Sequence, residues 1–185
     1  MAEALVIVDF QNDFTPGGAL AVPHGDEIAG RTSELLDSGR FDLVVATRDW
    51  HPADHGSFKE QGGPWPPHCV QGTPGAELNA ALDADRVDAI VNAGYRPDLE
   101  GYSGFEETDL DEVLRRHGVD QVTIVGLATD YCVKFTALDA TAKGFKTHLI
   151  EDGSRGVNLK PDDVANAVNE MRKQGVEVIR SEALR

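Results

Sequence analysis

The chain has 185 residues, 41% of them hydrophobic, and carries 32 acidic against 17 basic side chains for a net charge of −15. That suits one globular domain with a sizeable core, and such acidity argues against a nucleic-acid or anionic-membrane partner. No apolar run approaches the roughly 20 residues of a membrane span, and two cysteines in a chain this long make no disulfide framework.

The opening MAEALVIVDFQND lacks the basic start of a signal peptide, and its apolar run breaks at Asp9. It reads as a strand over 4–10, and the protein is expected in the cytoplasm. Asp26 to Ser38 carries Ile28, Leu35 and Leu36 at helical spacing and stops near Gly39. LVVAT (43–47) is a second strand. Residues 49–75 hold five prolines and three of the six histidines; a long irregular stretch inside a compact domain is usually functional. DAIVNA (88–93) is a third strand, and Asp109 to His117 a helix with Thr108 as N-cap. VTIVG (122–126) is a fourth strand. Cys132 to Lys143 reads as a helix closing at Gly144. FKTHLI (145–150) and VEVIR (176–180) are weaker strands on either side of a helix from Asp162 to Gln174.

Apolar runs without alternation indicate strands buried on both faces, as in parallel sheets. Strand and helix alternate throughout, which predicts one α/β domain over 1–185, with an open, mostly parallel sheet and helices on both faces. Ligands in such sheets bind outside the carboxyl ends of the strands. DFQNDF, the 49–75 segment and LATDYC all begin at such ends.

Those ends carry chemistry. Cys132, at the expected start of a helix, has two readings of equal weight. It is either a packed thiol or a nucleophile whose thiolate, and a developing oxyanion, are favoured by helix N–H groups. Asp9 closes an apolar strand; burial raises its pKa and suits it to proton transfer, although alone it reads better as a turn cap. Asp49 and His51, followed by His55 and His68, suit a divalent ion such as zinc, iron or manganese, although the spacing matches no sharp zinc motif. His117 reads as a helix C-terminal residue, His24 as surface, His148 as strand packing, and Cys69 as structural. Phe14 and Trp65 are either pocket wall or core.

Taken together, DFQNDF (9–14), TRDWHP (47–52), WPPHCVQGTPGAEL (65–78), YRPDLEGYSGFE (95–106) and GLATDYCVKFTALDA (126–140) resemble the nicotinamidase/pyrazinamidase group of the isochorismatase-like cysteine hydrolases. The resemblance implies a three-layer α/β/α sandwich around a six-stranded parallel sheet. It also implies hydrolysis of nicotinamide, and often of pyrazinamide, in NAD salvage. In this chain Cys132 matches the nucleophile and Asp9 the proton-transfer carboxylate. Asp49, His51 and His68 match ligands of one divalent metal ion, and His55 a position that ligates in some members only. Leu127–Ala128 matches a cis peptide that lets the Ala128 and Cys132 N–H groups form an oxyanion hole. Phe14, Trp65, Tyr102 and Tyr131 match the walls of the pocket for the aryl carboxamide. No partner beyond that small-molecule substrate is implied.

One position departs from the pattern. The group has a catalytic lysine just before a glycine at the end of the third strand; here the glycine is Gly94 and the lysine's place holds Ala93. Arg96 lies past the glycine and is expected to point elsewhere. Without that ammonium, Asp9 and a Cys132 thiolate are neighbouring negative charges, so both pKa values are expected to rise and turnover to be slow. An alanine there fits a substitution made to trap a substrate complex, a naturally slow enzyme, or a non-catalytic nicotinamide-binding protein. Rival hydrolases of the superfamily fit less well. Isochorismatases commonly lack the cysteine and this metal loop, and N-carbamoyl-amide hydrolases typically lack the D-x-H with the W-P-P-H block. A redox sensor is the remotest reading, because its only resolving thiol would be Cys69.

Overall fold

The computed structural model describes residues 1–184. Six strands, β1 (Ala2–Val8), β2 (Leu43–Asp49), β3 (Ala89–Ala93), β4 (Val119–Leu127), β5 (Lys146–Arg155) and β6 (Glu177–Ile179), form one sheet in the order β3-β2-β1-β4-β5-β6. Every neighbouring pair is parallel. Four α-helices complete the fold: α1 (Ile28–Asp37), α2 (Leu110–Arg116), α3 (Lys134–Ala142) and α4 (Asp163–Lys173).

Strand β1 shows why its run is apolar without alternation. Ala4, Val6 and Val8 face a core shared with α2, α3 and α4, through residues such as Leu110, Ala137 and Met171. Leu5 and Ile7 face a second core built by α1 (Ile28, Leu35, Leu36) and the segment after β2 (Cys69, Ala76, Leu82). A strand between two helical layers buries both its faces, so polar residues have no place on it. Between β2 and β3 there is no α-helix. Short 3₁₀ turns and irregular chain cover that part of the sheet instead.

Several boundaries differ from the expected ones for local reasons. Strand β1 stops at Val8 because Asp9 turns into the left-handed region, φ 50°. Helix α2 begins at Leu110, one residue later than expected; the Thr108 hydroxyl still accepts the Leu110 N–H at 3.3 Å. Strand β5 runs on to Arg155 through polar residues, because a register irregularity between Ile124 and Gly126 lets Ser154 and Arg155 pair with Gly126 and Leu127. Helix α3 begins at Lys134, not Cys132, since Thr129–Val133 form a wide π-helical turn.

Strand order reverses between β1 and β4, with connections leading away from that point in both directions. A crevice opens at such a switch point. The two strands approach closely there: a side chain at Gly126, φ 131°, would place its Cβ 2.1 Å from the Val8 carbonyl oxygen. Among the described residues no helix is long and apolar enough to cross a membrane.

Candidate active site

The crevice is lined by the residues that leave β1, β2 and β4. Asp9 follows β1 directly. Its N–H donates to the Thr47 carbonyl at 3.0 Å, and one oxygen of its buried carboxylate accepts the Thr47 hydroxyl at 2.9 Å. Cys132 comes from the π-helical turn after β4, behind the cis peptide Leu127–Ala128. Its sulfur and one carboxylate oxygen each of Asp9 and Asp49 lie within 4.8 Å of one another.

A helix start does not activate this thiol. Burial, then the negative charges of Asp9 and Asp49, push Cys132 well above the ordinary thiol range. Burial and the Asp49 charge likewise push Asp9 well up, against weaker opposing effects from the Cys132 and Thr47 hydrogen bonds and from His51. The expected rise of both groups is therefore present. No lysine or arginine is among these principal influences. Ala93 is buried at the end of β3, paired in register with Asp49, and contributes only a methyl group. Arg96 points away as expected, paired with Asp98 at 3.2 Å.

Asp49, His51 and His68 form a buried cluster whose ligand-type atoms lie within 4.8 Å of one another. The Nε2 atoms of His51 and His68 are 3.2 and 3.7 Å from Asp49 Oδ2. Each ring's Nδ1 is 2.8 Å from a backbone carbonyl, that of Gly94 for His51 and that of Pro66 for His68. Such contacts engage Nδ1–H and leave both Nε2 atoms facing the carboxylate, as N–H donors when the rings are charged and as ligand lone pairs when they are neutral. Two neutral imidazoles and a carboxylate with this second shell fit a divalent transition-metal ion. Burial alone would raise Asp49, but His51 and His68 outweigh it and hold the carboxyl well below the usual range. Its other oxygen, Oδ1, is buried without a hydrogen-bond partner among the described residues.

His55 does not join this cluster. It stacks on His51, ring centroids 3.8 Å apart, but its Nε2 meets the Leu99 carbonyl at 2.8 Å and its Nδ1 the Ser57 hydroxyl at 2.7 Å. Both ring nitrogens are engaged away from Asp49, so His55 lies outside the three-residue cluster and packs against the His51 ring. Cys69 is buried and structural: its N–H donates to Asp13 and its carbonyl accepts from His51, while burial pushes its thiol far above the ordinary range. His117 ends α2, His24 is exposed, and His148 is buried on β5.

Three supporting residues carry no signal in composition or spacing. Gln11 is completely buried and clamps the Asp49 backbone from both sides, accepting its N–H at 2.9 Å and donating to its carbonyl at 2.8 Å; it also donates to the Ala76 carbonyl. Asp13 accepts the N–H groups of Cys69 and Ala19, tying the His68 loop to the exit of β1. Thr47 orients Asp9, as described. A buried glutamine and a second aspartate within DFQNDF were the only hints available.

Above these groups lies a narrow pocket of about 40 Å³. Phe14, Trp65, Tyr102 and Tyr131 all line it, together with Ala128, Cys132, Asp49 and His68. Trp65 donates its indole N–H to the Tyr102 hydroxyl at 2.9 Å and meets Tyr131 edge-on, fixing the aromatic walls. Leu20, Val22 and Val157 add apolar contacts that the sequence pattern does not single out. A flat slot with a thiol, a carboxylate and a metal-type cluster at its floor is equipped for acyl transfer from a planar substrate.

Comparison with known proteins agrees with this architecture. The isochorismatase domain family matches residues 3–183. The nicotinamidase of Escherichia coli (strain K12) is 44% identical, the match covering 93% of this chain and 92% of that protein. The pyrazinamidase of Pyrococcus horikoshii, solved in complex with zinc, superposes with a TM-score of 0.89 at 49% identity over 97% of this chain and 99% of that one. PnC1 from L. infantum, solved in complex with nicotinate, gives 0.94 at 38% identity over 98% and 94%.

Proposed function

This chain belongs to the isochorismatase domain family, and from that premise we propose that it is a cysteine amidohydrolase converting nicotinamide to nicotinate and ammonia, with pyrazinamide as a further substrate. The observation that carries the reading is the convergence of Cys132, Asp9 and the Asp49–His51–His68 cluster beneath one aromatic slot. The similarity to nicotinamidases and pyrazinamidases over almost the whole chain supports it.

The slot holds the pyridine ring between Phe14, Trp65, Tyr102 and Tyr131, which aligns the carboxamide with Cys132 and lowers the entropic part of the barrier. Asp9, oriented by Thr47, takes the thiol proton, and the sulfur attacks the carboxamide carbon. The N–H groups of Ala128 and Cys132 receive the developing oxyanion. Asp9 then gives its proton to the departing nitrogen, releasing ammonia and leaving a Cys132 thioester. Water attacks the thioester as Asp9 accepts its proton; nicotinate leaves and the thiol is restored. When bound at Asp49, His51 and His68, a divalent ion of the zinc, iron or manganese type supplies a Lewis acid for the ring nitrogen at the pocket wall.

Ala93 limits this cycle. Taking the Cys132 proton creates negative charge beside Asp49 with no fixed ammonium to offset it, so turnover is slow. The same observation favours a second reading, a nicotinamide-binding protein that does not turn over its ligand. Ammonia release from nicotinamide, measured for the native chain and Ala93→Lys in defined metal, separates the two. Turnover gained with the lysine supports the hydrolase. A folded, metal-loaded lysine variant that binds nicotinamide and releases no ammonia supports the binder.

A further inference from the structure

Asp49 has two sides. Its Oδ2 faces the His51 and His68 rings, at 3.2 and 3.7 Å. Its Oδ1 is buried with no partner among the described residues, in a residue only 4% exposed. Asp49 is also part of a second buried cluster, in which a carboxylate oxygen from each of Asp9 and Asp49 and the Cys132 sulfur lie within 4.8 Å of one another. That cluster gathers three acidic groups. Ala93, paired in register with Asp49, offers a methyl group, and the Thr47 hydroxyl bonded to Asp9 is neutral. Without a cation such groups stay neutral by keeping their protons, and a bound cation can take the protons' place.

We propose that Asp9, Asp49 and Cys132 form a second divalent-cation site, distinct from the Asp49–His51–His68 site and sharing the Asp49 carboxylate with it. The donor set, two carboxylates and a sulfur, selects a thiophilic ion such as Zn²⁺ over Mg²⁺ or Ca²⁺. Zinc–oxygen and zinc–sulfur bonds of about 2.0 and 2.3 Å place tetrahedral ligand atoms roughly 3.3 to 3.5 Å apart, and the three atoms of this cluster lie within 4.8 Å of one another. A carboxylate shared between ions about 3.5–4 Å apart is the usual bridge of two-metal sites. On binding, the thiol proton leaves to solvent and the sulfur lone pair goes to the ion. The same lone pair is needed to attack a carboxamide, so the second ion is an inhibitor while the first is not.

Cobalt(II) is the probe, because thiolate ligation gives a charge-transfer absorption that carboxylate and imidazole ligation do not. The full chain, freed of metal, is titrated with Co²⁺ while bound metal and absorption are followed together. The expected result is two tightly held equivalents, the second bringing the thiolate band and protecting Cys132 from iodoacetamide. Cys132→Ser, Asp9→Asn and Ala93→Lys are each expected to hold one equivalent without the band; the retained first equivalent shows that each variant is folded. A native chain that saturates without a thiolate band overturns the proposal. So does a band that persists in Cys132→Ser, which would assign the thiolate to Cys69, or one that persists in both Asp9→Asn and Ala93→Lys. None of these readouts involves turnover, so the outcome stands apart from the nicotinamide reading.

Discussion

His51 and His68 each have Nδ1 tied to a backbone carbonyl, and Gln11 grips the backbone of Asp49 between them. A few ångströms away, Asp9 accepts one neutral hydroxyl, that of Thr47, and no lysine or arginine is among the principal influences on Asp9 or Cys132. Both halves are buried and both contain carboxylates, yet their electrostatics run in opposite directions. The Asp49 carboxyl is held low by the imidazoles beside it; Asp9 and Cys132 are pushed up by burial and by the Asp49 charge, and Cys132 also by Asp9. Burial alone therefore does not set the character of a buried acid. The groups beside it decide whether burial prevails.

The sharpest way to break this contrast is to give the weaker half its cation. Ala93→Lys is expected to raise kcat for nicotinamide roughly 10²-fold or more, since that is the scale at which a well-matched proton-transfer group acts. Ammonia release at saturating substrate measures it, and an unchanged kcat would mean that charge balance is not what limits Cys132. On the braced half, His68→Ala removes a ligand-type nitrogen and is expected to weaken zinc binding by more than about 100-fold, beyond what the loss of a supporting residue does. Competition with a chromophoric chelator reads the affinity. Gln11→Ala leaves all three ligand-type side chains in place but frees the Asp49 backbone; a loss of about 10-fold in the same assay is expected. If Gln11→Ala costs as much as His68→Ala, the clamp is holding up the whole segment and not just one ligand.

The smallest effect lies outside the crevice and serves as a control. Although burial opposes it, Asp152 is held below its ordinary pKa by hydrogen bonds from the Ser181 N–H and hydroxyl and by Arg31 at 3.0 Å. A carboxyl depressed in the folded state stabilises the fold above its unfolded pKa of about 4, and that contribution is lost as pH falls through the lower, folded value. Asp152→Asn is therefore expected to flatten the fall in stability below about pH 4, in urea denaturation at a series of pH values. Ammonia release at neutral pH should not change, because Asp152 touches nothing in the crevice.

What could be read from the chain beforehand follows a physical line. Strand β1 was legible because burial on both faces leaves an uninterrupted apolar run, and α4 because Pro161 and Gly175 bracket it. The parallel sheet followed from such runs alternating with helices. Asp9, Asp49, His51, His68 and Cys132 stood out by chemistry at strand ends. The start of α3 was misplaced because a π-helical turn uses the same residue types as an α-helix and differs only in hydrogen-bond span. The direction His55 faces was not legible, since it depends on the Leu99 carbonyl, 44 residues away. Gln11, Asp13 and Thr47 were passed over for a similar reason: each acts on chain that only tertiary folding brings near.

The exit of β1 has one further consequence. Residues 9–14 contribute the buried carboxylate near Cys132 (Asp9), the clamp on Asp49 (Gln11), the tether of the His68 loop (Asp13) and a wall of the slot (Phe14). The 50–88 segment has no α-helix of its own, so this hexapeptide is part of what it folds against. The segment is therefore not a portable module. Grafted onto another α/β sheet without Gln11 and Asp13, it would carry both histidines and lose the geometry that brings them together. Moved with those six residues and Asp49, it would take the Asp49–His51–His68 cluster along, and with it the Asp9 carboxylate.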